Sequence, residues 1–400
     1  MPRLEPSRRG REIECTPIIA LENRRMELVR EGKDIVNFAG GEFDLPTPDA
    51  IIEEGVKALR EGFTRYTEDA GLPELREALC QKLAHENAIH YATDEVLITP
   101  GSKFALYTAL QVLCEPGDEI LIPAPFWPTY REQILLAGGR PQVISLSREN
   151  HFKLTPEALL GSLAEKARVL ILNNPVNPTG AVYTRAELEA LAEIIVREGL
   201  FVIVDEIYEH LVFEATGHVS LASLGEDIHS QTITVGGWSK NFSMTGWRIG
   251  FAAGPRDVVS AMKGIQSQVT SCANAAAQKA AVIALSGGPV RELKETLRVR
   301  RDALMDGLEN LPGFSPLFPS AGFYIFVEVS PDLGFERKGK GKAPVDSASL
   351  ANALLEGALV SLLPGSIFGS EGYLRLTFAP TPLSRIDEGV KRLRTFFASK

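Results

Sequence analysis

The stretch LFVIVDEIY, residues Leu200 to Tyr208, does most to decide the fold. Five apolar residues run without a polar break into Asp205, and such continuous hydrophobicity is typical of a strand covered by helices on both faces. In sheets of this kind, functional groups collect beyond the carboxyl ends of the strands. Asp205 is therefore a candidate functional residue, although an aspartate at this point can also cap the turn that follows.

Segments of similar character recur on both sides of this stretch, from about residue 93 to 290. Short β-branched runs alternate with segments of helical periodicity, which favours a layered α/β domain. We predict a large domain with a mostly parallel seven-stranded sheet covered by helices. The predicted strands are Val96-Thr99, Glu119-Pro123, Arg140-Ser145, Arg168-Asn173, Phe201-Asp205, Thr232-Val235 and Ile249-Ala252. The intervening predicted helices include Lys103-Leu113, Arg185-Arg197 and Ala273-Leu285.

The pattern changes at about residue 291 and predicts a smaller α+β domain. The first 50 residues show no separate core, so we expect them to form an N-terminal arm and to join this domain. The predicted division is therefore 1–50, 51–290 and 291–400. The predicted C-terminal elements are a helix Arg291-Glu309, a strand Gly322-Val329, a Gly/Lys-rich loop Gly334-Lys342, a helix Ser347-Gly357, a strand Tyr373-Phe378 and a helix Ser384-Phe397.

Composition excludes several classes of function. The chain has 400 residues and a formal net charge of -9, which argues against a nucleic-acid partner because such proteins carry basic surface. Its apolar runs are far shorter than the roughly 20 residues that cross a bilayer. Its charged N-terminus lacks the apolar core of a secretory signal. We expect no membrane span and a cytoplasmic location.

The cysteines and histidines show no pattern for a metal. Four cysteines are scattered without a C-x-x-C pair, and six histidines include no H-x-x-x-H pair. We expect reduced thiols and no bound metal, so catalysis must come from other side chains.

The most informative motif is SKNFSMTGWRIG, Ser239 to Gly250, which lies between two predicted strands. A desolvated lysine amine has a lowered pKa and can form a Schiff base with an aldehyde, which makes Lys240 a candidate. Arg248, eight residues later, can return to the same site as a bidentate phosphate ligand. The alternative is a loop lysine and a surface arginine.

Three further features can complete a site. In the first stretch, Asp205 can pair with a protonated pyridine nitrogen and Tyr208 can reach a phenolic oxygen of the same ring. The motif NNPVNPTG, Asn173 to Gly180, forms a turn made rigid by two prolines, from which Asn177 can donate a hydrogen bond. The motif TPGSKFA, Thr99 to Ala105, ends a strand and opens a helix whose N–H groups suit an anion. Each of the last two motifs is also common in ordinary loops.

In this order and spacing, N-P-T-G, D-x-x-Y, S-K and M-T-G-W-R-x-G resemble the class I aminotransferases of the pyridoxal-phosphate-dependent fold-type I superfamily, and in particular the bacterial aspartate aminotransferase subgroup. The resemblance extends over nearly the whole chain. It implies pyridoxal 5'-phosphate as the cofactor. It also implies a homodimer with shared active sites.

The resemblance also implies roles for individual residues. Lys240 would hold the cofactor as a Schiff base and move the proton, Asp205 would bind the pyridine nitrogen, and Tyr208 would hold the ring oxygen together with Asn177. The remaining cofactor-binding residues would be Gly101, Ser102 and Lys103 through their amides, Arg248 at the phosphate, Trp127 stacked on the ring, Asn177 at the ring oxygen, Ser239 in the lysine motif, and Tyr66 at the phosphate of the neighbouring subunit. For Trp127, an ordinary core tryptophan is the alternative.

For the substrate, Arg375 lies on a predicted strand and can bind a carboxylate with two parallel hydrogen bonds. The resemblance agrees. It also implies that the backbone of Gly41 contacts the same carboxylate, with Gly40 as the alternative if the register differs, and that Trp127 and Asn177 border the substrate. The reaction implied is ping-pong transfer of an amino group from an L-amino acid, aspartate-like or aromatic, to a 2-oxo acid such as 2-oxoglutarate.

The sequence leaves the substrate side chain open. Lys103 matches a lysine that helps bind the distal carboxylate in the aspartate and prephenate aminotransferase subgroup. That subgroup usually has K-P-S-x-T near its N-terminus, whereas this chain has Glu14 and Ile18 where the subgroup has the lysine and the threonine. Because an acid repels a carboxylate, we expect this position to disfavour prephenate and to leave a broader or aromatic preference open.

Two other functions compete with transamination. A pyridoxal-phosphate-dependent C–S lyase on the same fold would release pyruvate without an oxo-acid acceptor. An aminotransferase-like effector domain of a transcription regulator would carry an N-terminal DNA-binding module, for which we expect no room before Pro17. A catalytically inactive homologue would normally lack the lysine, the aspartate or an arginine, and all are present here.

Overall fold

The computed structural model describes residues 5–7, 10–11, 13, 17–214, 217–287, 291–330 and 346–398. The strands in chain order are β1 Val36–Asn37, β2 Val96–Thr99, β3 Glu119–Ala124, β4 Arg140–Ser145, β5 Ala167–Asn173, β6 Phe201–Asp205, β7 Thr232–Gly237, β8 Gly250–Ala253, β9 Phe314–Pro316, β10 Tyr324–Val329, β11 Val360–Ser361, β12 Leu363–Pro364 and β13 Tyr373–Thr377. The α-helices in chain order are α1 Pro17–Arg30, α2 Asp49–Arg60, α3 Pro73–Asn87, α4 Ser102–Leu113, α5 Thr129–Leu136, α6 Pro156–Gly161, α7 Arg185–Glu198, α8 Glu226–Ser230, α9 Arg256–Val269, α10 Ala275–Gly287, α11 Arg291–Glu309, α12 Ser347–Gly357 and α13 Leu383–Ala398.

The central sheet has seven strands in the order β2-β8-β7-β6-β5-β3-β4. Its strands pair in parallel except at β8, which runs antiparallel to both β2 and β7. The predicted α/β fold with a mostly parallel seven-stranded sheet is confirmed. Asn173 at the end of β5 is in register with Asp205 at the end of β6, so two polar side chains leave the sheet side by side.

Strand β6 shows why its sequence is apolar throughout. Val202 and Val204 lie in a hydrophobic cluster with residues of α7, such as Leu191. Ile203, between them, lies in a different cluster with residues of α4, such as Leu110. Because both faces of the strand are buried under helices, both sets of alternate side chains must be apolar.

A second sheet of four strands has the order β12-β13-β10-β9, and α11 and α13 contact each other beside it. Strand β1, near the N-terminus, pairs in parallel with β11, so N-terminal residues do lie against the C-terminal part. The predicted division at residues 50 and 290 remains a prediction. In β10 and β13, Phe326 is in register with Arg375, which places that arginine in the middle of the sheet.

The predicted element bounds hold to within about two residues. The helices predicted at Arg291-Glu309 and Ser347-Gly357 are observed with those bounds. The strand predicted from Ile249 begins at Gly250, directly after Arg248, whose φ of 55° lies in the left-handed region and interrupts extended backbone. The predicted loop Gly334-Lys342 lies outside the described residues.

Within the described part of the chain, every helix is too short or too polar to cross a membrane.

Candidate active site

A cavity of about 490 Å³ lies where the carboxyl ends of the central strands face β10 and β13. Its walls come from segments far apart in the chain, which is the usual arrangement for a site at the edge of an α/β sheet. The lining residues are Ala39, Gly41, Glu42, Ser102, Lys103, Trp127, Tyr130, Asn173, Asn177, Asp205, Ile207, Tyr208, Ser239, Lys240, Thr245, Arg248, Tyr324 and Arg375.

Lys240 follows β7 and points its ammonium into this cavity. Its Nζ donates a 2.6 Å hydrogen bond to the carbonyl of Gly41 and lies 5.6 Å from the ring centre of Phe323. Burial lowers the pKa of Lys240 to about 8, an effect that Glu42 opposes and that Arg375 adds to. An amine with this pKa is partly unprotonated near neutral pH, so it can act as a nucleophile or a base.

Asp205 ends β6 with its carboxylate buried. Its Oδ2 accepts a 2.8 Å hydrogen bond from the hydroxyl of Tyr130, and its Oδ1 accepts one of 3.2 Å from the backbone N–H of Ile207. Burial raises the pKa of Asp205 to about 6, while these two hydrogen bonds lower it. Asp205 therefore caps the following turn and lines the cavity, so the two interpretations of this residue are compatible.

One end of the cavity has the features of an anion site. Ser102 and Lys103 begin α4, so their N–H groups face outward at a helix N-terminus, and Arg248 lies beside them. Gly101 has a φ of 87°, and a Cβ there would collide with the guanidinium of Arg248. A Cβ at Gly250 would likewise collide with the backbone N of Ser102. Two glycines thus keep the space that lets the arginine approach the helix start.

Lys103 turns its side chain along the cavity wall. Its Nζ lies 4.8 Å from the ring centre of Trp127, a cation–π contact. Burial lowers the pKa of Lys103, and the positive charge of Arg248 lowers it further. The two basic groups therefore repel each other, and an anion between them would relieve that repulsion.

Arg375 lies on β13 and is only 4% exposed. Its Nη1 donates to Oδ1 of Asn177 at 3.2 Å, and its Nη2 donates to the carbonyl of Ala39 at 3.3 Å. Its guanidinium carbon lies 4.0 Å from the ring centre of Tyr324, and its Nε has no hydrogen-bond partner. Among the residues that the structure describes, no carboxylate forms an ion pair with it. A buried cation in this condition calls for an anionic ligand.

Asn177 and Tyr208 complete the wall between the lysine and the arginine. The backbone N–H of Asn177 donates to Oδ1 of Asn173 at 2.7 Å, which fixes the proline-rich turn to the end of β5. The hydroxyl of Tyr208 lies 3.3 Å from that of Tyr324. Burial raises the pKa of the Tyr208 phenol well above its usual value, so this hydroxyl keeps its proton.

The structure brings together most of the residues predicted from the sequence. Gly41 lines the cavity, which favours it over Gly40. Gly101 lies directly behind the lining, in contact range of Arg248. Tyr66 is 86% exposed and lies outside this cavity, so its role at a neighbouring subunit remains a prediction. Glu14 lies outside the described residues, as does the side chain of Ile18, so their effect on prephenate also remains a prediction.

Sequence reasoning missed Tyr130, Tyr324 and Glu42, all of which line the cavity. In the sequence, the two tyrosines look like ordinary core aromatics of a helix and a strand. Asn173 ends the predicted strand Arg168-Asn173 and opens the proline-rich turn, and its position at the end of β5 is equivalent to that of Asp205 at the end of β6. The rule that singled out Asp205 would also have found Asn173.

A second polar cluster lies just beyond the end of β6, where Glu206 directly follows Asp205. We call it the paired cluster, and it consists of Lys82, Glu206, Glu209 and His218. Nζ of Lys82 lies 2.5 Å from Oε2 of Glu209, and Nε2 of His218 lies 3.1 Å from Oε2 of Glu206. Ligand atoms of the two glutamates and the histidine lie within 4.8 Å of one another, as they would around a metal. The ammonium of Lys82 already supplies the cation there.

Comparisons with known proteins agree with this geometry. The family model described as aminotransferase class I and II matches residues 33–393. An aspartate aminotransferase of Geobacillus stearothermophilus is 40% identical over 384 residues, which are 96% of each chain. A bifunctional aspartate aminotransferase and glutamate/aspartate-prephenate aminotransferase of Petunia hybrida is 41% identical over 394 residues, 97% of this chain and 82% of the relative. The crystal structure of the Rhizobium meliloti aspartate aminotransferase has a TM-score of 0.94 at 34% identity and covers 99% of both chains.

Proposed function

The chain belongs to the class I and II aminotransferases, and from this premise we propose that it moves the amino group of an L-amino acid to a 2-oxo acid with pyridoxal 5'-phosphate held at Lys240. One observation carries the proposal. Three charged groups share one cavity: the desolvated amine of Lys240, the buried carboxylate of Asp205 and the buried guanidinium of Arg375. Among the described residues, the guanidinium has no carboxylate partner. Together these groups can form a Schiff base, stabilise a protonated ring nitrogen and bind a carboxylate.

The residues present fit the cofactor. A phosphate suits the cradle made by Ser102, Arg248 and the close approach at Gly101, where a side chain could not be accommodated. A protonated ring nitrogen suits the buried carboxylate of Asp205. When bound, pyridoxal phosphate supplies an aldehyde and a ring that accepts the electron pair left when a Cα proton departs.

The protein's own groups then divide the work. With the cofactor bound, the amine of Lys240 would hold its aldehyde carbon, and the free amine would move the proton from the substrate's Cα. Asp205, kept in place by the hydrogen bond from Tyr130, would stabilise a proton on the ring nitrogen. Arg375 fixes the substrate's α-carboxylate, and Asn177 and Tyr208 would contact the ring oxygen. Trp127 would cover the ring face.

For the substrate, we propose aspartate as amino donor and 2-oxoglutarate as acceptor. Support comes from the curated relatives, which are aspartate aminotransferases or act on aspartate and prephenate. It also comes from Lys103, whose partly desolvated ammonium lies on the cavity wall and can meet a distal carboxylate. An aromatic donor would instead need an apolar wall near Trp127.

We also propose a homodimer with shared active sites, because Tyr66 is highly exposed in the single chain while its motif resembles that of a residue that reaches a neighbouring subunit. The cytoplasmic location remains a prediction from the sequence.

The visible spectrum tests the proposal. The purified chain loaded with pyridoxal phosphate is mixed with aspartate, glutamate, phenylalanine or cysteine, in each case without an oxo acid. A change in absorbance that stops after one equivalent of oxo acid is expected, followed by recovery when 2-oxoglutarate or prephenate is added. Continuous release of pyruvate and ammonia from cysteine would show a lyase instead, and no change with any amino acid would refute the proposal.

A further inference from the structure

One backbone segment, Ala39 to Thr47, contacts both cations that the proposed function assigns to chemistry and binding. We call it the strap. Its Gly41 carbonyl accepts from Lys240 at 2.6 Å, and its Ala39 carbonyl accepts from Arg375 at 3.3 Å. Its Glu42 carboxylate lines the cavity and raises the pKa of Lys240. The strap thus presents three acceptors to two cations.

The strap is fixed at its far end to the central-sheet side of the cavity. The hydroxyl of Thr47 donates to the backbone carbonyl of Ser243 at 2.7 Å and accepts from Nε1 of Trp247 at 3.1 Å. Ser243 and Trp247 belong to the same motif as Lys240. The end of the strap is therefore held by the loop that carries the reactive lysine.

Near its middle, the strap is fixed to the opposite wall by an ion pair. The carboxylate of Asp44 accepts two parallel hydrogen bonds from Arg300 of α11, at 2.8 Å to Oδ1 and 2.9 Å to Oδ2. The same Arg300 donates to the carbonyl of Ala379 at 2.5 Å, just after β13, the strand of Arg375. Pro380, the next residue, would be 3.3 Å from a Cβ at Gly40, so the strap also lies close against this region.

The environment makes this ion pair more than a surface contact. The side chain of Arg300 is 9% exposed and that of Asp44 is 33% exposed, and the pair is bidentate, a geometry that adds both energy and geometric specificity. On the same helix, Arg298 forms a pair with Glu295 whose side chains are 48% and 60% exposed. Exposed ion pairs of that kind contribute little to stability. The exposed pair of Arg298 is therefore a matched control for the buried pair of Arg300 on the same helix.

We propose that Asp44 and Arg300 are positioning residues for substrate binding. By fixing the strap to the wall that carries Arg375, they set the distance between the Ala39 and Gly41 carbonyls and the two cations. An incoming carboxylate shares the Arg375 guanidinium with the Ala39 carbonyl, so the position of the strap controls how well the acid fits. This inference rests on the proposed function of Arg375. It assigns the pair a role in affinity and none in proton transfer.

The test compares Asp44→Asn, Arg300→Met and the double variant with wild type, using Arg298→Met as the control. The first readout is the dissociation constant of maleate, a dicarboxylate with no amino group to transfer, measured by isothermal titration calorimetry on the chain loaded with pyridoxal phosphate. The second is KM and kcat for aspartate. The third is the unfolding temperature.

We expect each single variant to raise the maleate dissociation constant and the aspartate KM by between about 3-fold and 100-fold, the range for residues coupled by direct contact. We expect kcat to change by less than about 3-fold, and the double variant to resemble the single ones because the pair acts as a unit. Arg298→Met should match wild type.

Three results would overturn the inference. The first is an unchanged maleate dissociation constant with a lower unfolding temperature, which would mean a structural role alone. The second is a fall in kcat equal to the rise in KM, and the third is effects of the two single variants that add in the double variant. If Arg300→Met does not fold, Asp44→Asn decides, because its carboxylate is partly exposed and the change keeps its shape. A wild type that binds maleate without transaminating would refute the proposed function and leave the pair's effect on binding still measurable.

Discussion

Asp205 and Glu206 are neighbours in the chain, yet their carboxylates enter two different polar clusters. On one side lies the cavity, where Lys240 and Arg375 have no ion-pair partner among the described residues. On the other lies the paired cluster, where Glu209 lies 2.5 Å from the ammonium of Lys82 and Glu206 lies 3.1 Å from the imidazole of His218. Both clusters are buried and rich in charge. The difference is that one is complete without a ligand and the other is not.

The contrast between the two clusters distinguishes charged residues with a structural role from those with a functional role, and it does so without reference to a sequence motif. Buried charges that pair with each other hold elements together, and here they join α3 to the turn after β6. Buried charges that lack partners cost folding free energy, and a protein keeps such a cost where a ligand supplies the missing charge. The following predictions test whether the two clusters differ in this way.

The largest effect is expected for Lys240→Ala. Removing the amine that both holds the aldehyde and moves the proton should lower kcat by at least about 10⁴-fold, the upper range for general acid–base catalysis alone. Covalent attachment of the cofactor should also be lost, which the absence of the visible absorption band after gel filtration would show. Lys57→Ala, an exposed lysine of α2, is the control. A retained band in the Lys240 variant would contradict the assignment.

The sharpest contrast is between Arg375→Met and Lys82→Met. The first removes a cation without an ionic partner, so it should leave the unfolding free energy unchanged or raise it, while lowering kcat/KM by a factor that corresponds to about 2–5 kcal/mol. The second leaves Glu206 and Glu209 with one cation fewer, so it should cost about 3–5 kcal/mol of stability.

Urea titration and steady-state kinetics measure both quantities on both variants. The comparison fails if Lys82→Met is as stable as wild type, or if Arg375→Met keeps its kcat/KM. Both substitutions replace a buried cation with methionine and introduce no new charge. The two variants are therefore matched in kind.

A smaller effect is expected for Tyr130→Phe. Its hydroxyl lowers the pKa of Asp205 through a 2.8 Å hydrogen bond, so its loss should raise that pKa and weaken the hold on a protonated ring. A hydrogen bond to a charged group contributes about 1.5–3 kcal/mol, and kcat should fall by the corresponding factor. Tyr183→Phe is the control, because that buried hydroxyl accepts from the backbone of Leu154 outside the cavity. Equal kcat values for the two variants would argue against a role for Tyr130.

The sequence predicted the central sheet because burial on both faces leaves a continuous apolar run, as β6 shows. It also predicted the polar residues at strand ends and in rigid loops, such as Asp205 and Asn177, since only their position along the chain was needed. Tyr130 and Tyr324 could not be found in this way. The role of these two tyrosines depends on which side chains they contact in the folded protein. An aromatic residue inside a helix or strand has the same local sequence pattern whether it fills a core or lines a cavity.

Glu42 gives the finest test, because it is the one acid of the strap that faces the cavity. Its charge raises the pKa of Lys240, which burial has lowered to about 8. Glu42→Gln should therefore lower that pKa further. The free amine is the reactive form, so it should become available at lower pH, and the rate of reaction with pyridoxal phosphate should reach half its maximum at a lower pH than in wild type.

The measurement is the rate at which the cofactor-free chain forms the visible band, followed across the pH range. Glu61→Gln, which removes the same charge from the end of α2, is the control and should leave the profile unchanged. A shift to higher pH would mean that Glu42 acts on the lysine through the position of the strap rather than through its charge. In that case Asp44→Asn, which disturbs the strap and keeps Glu42, should reproduce the shift.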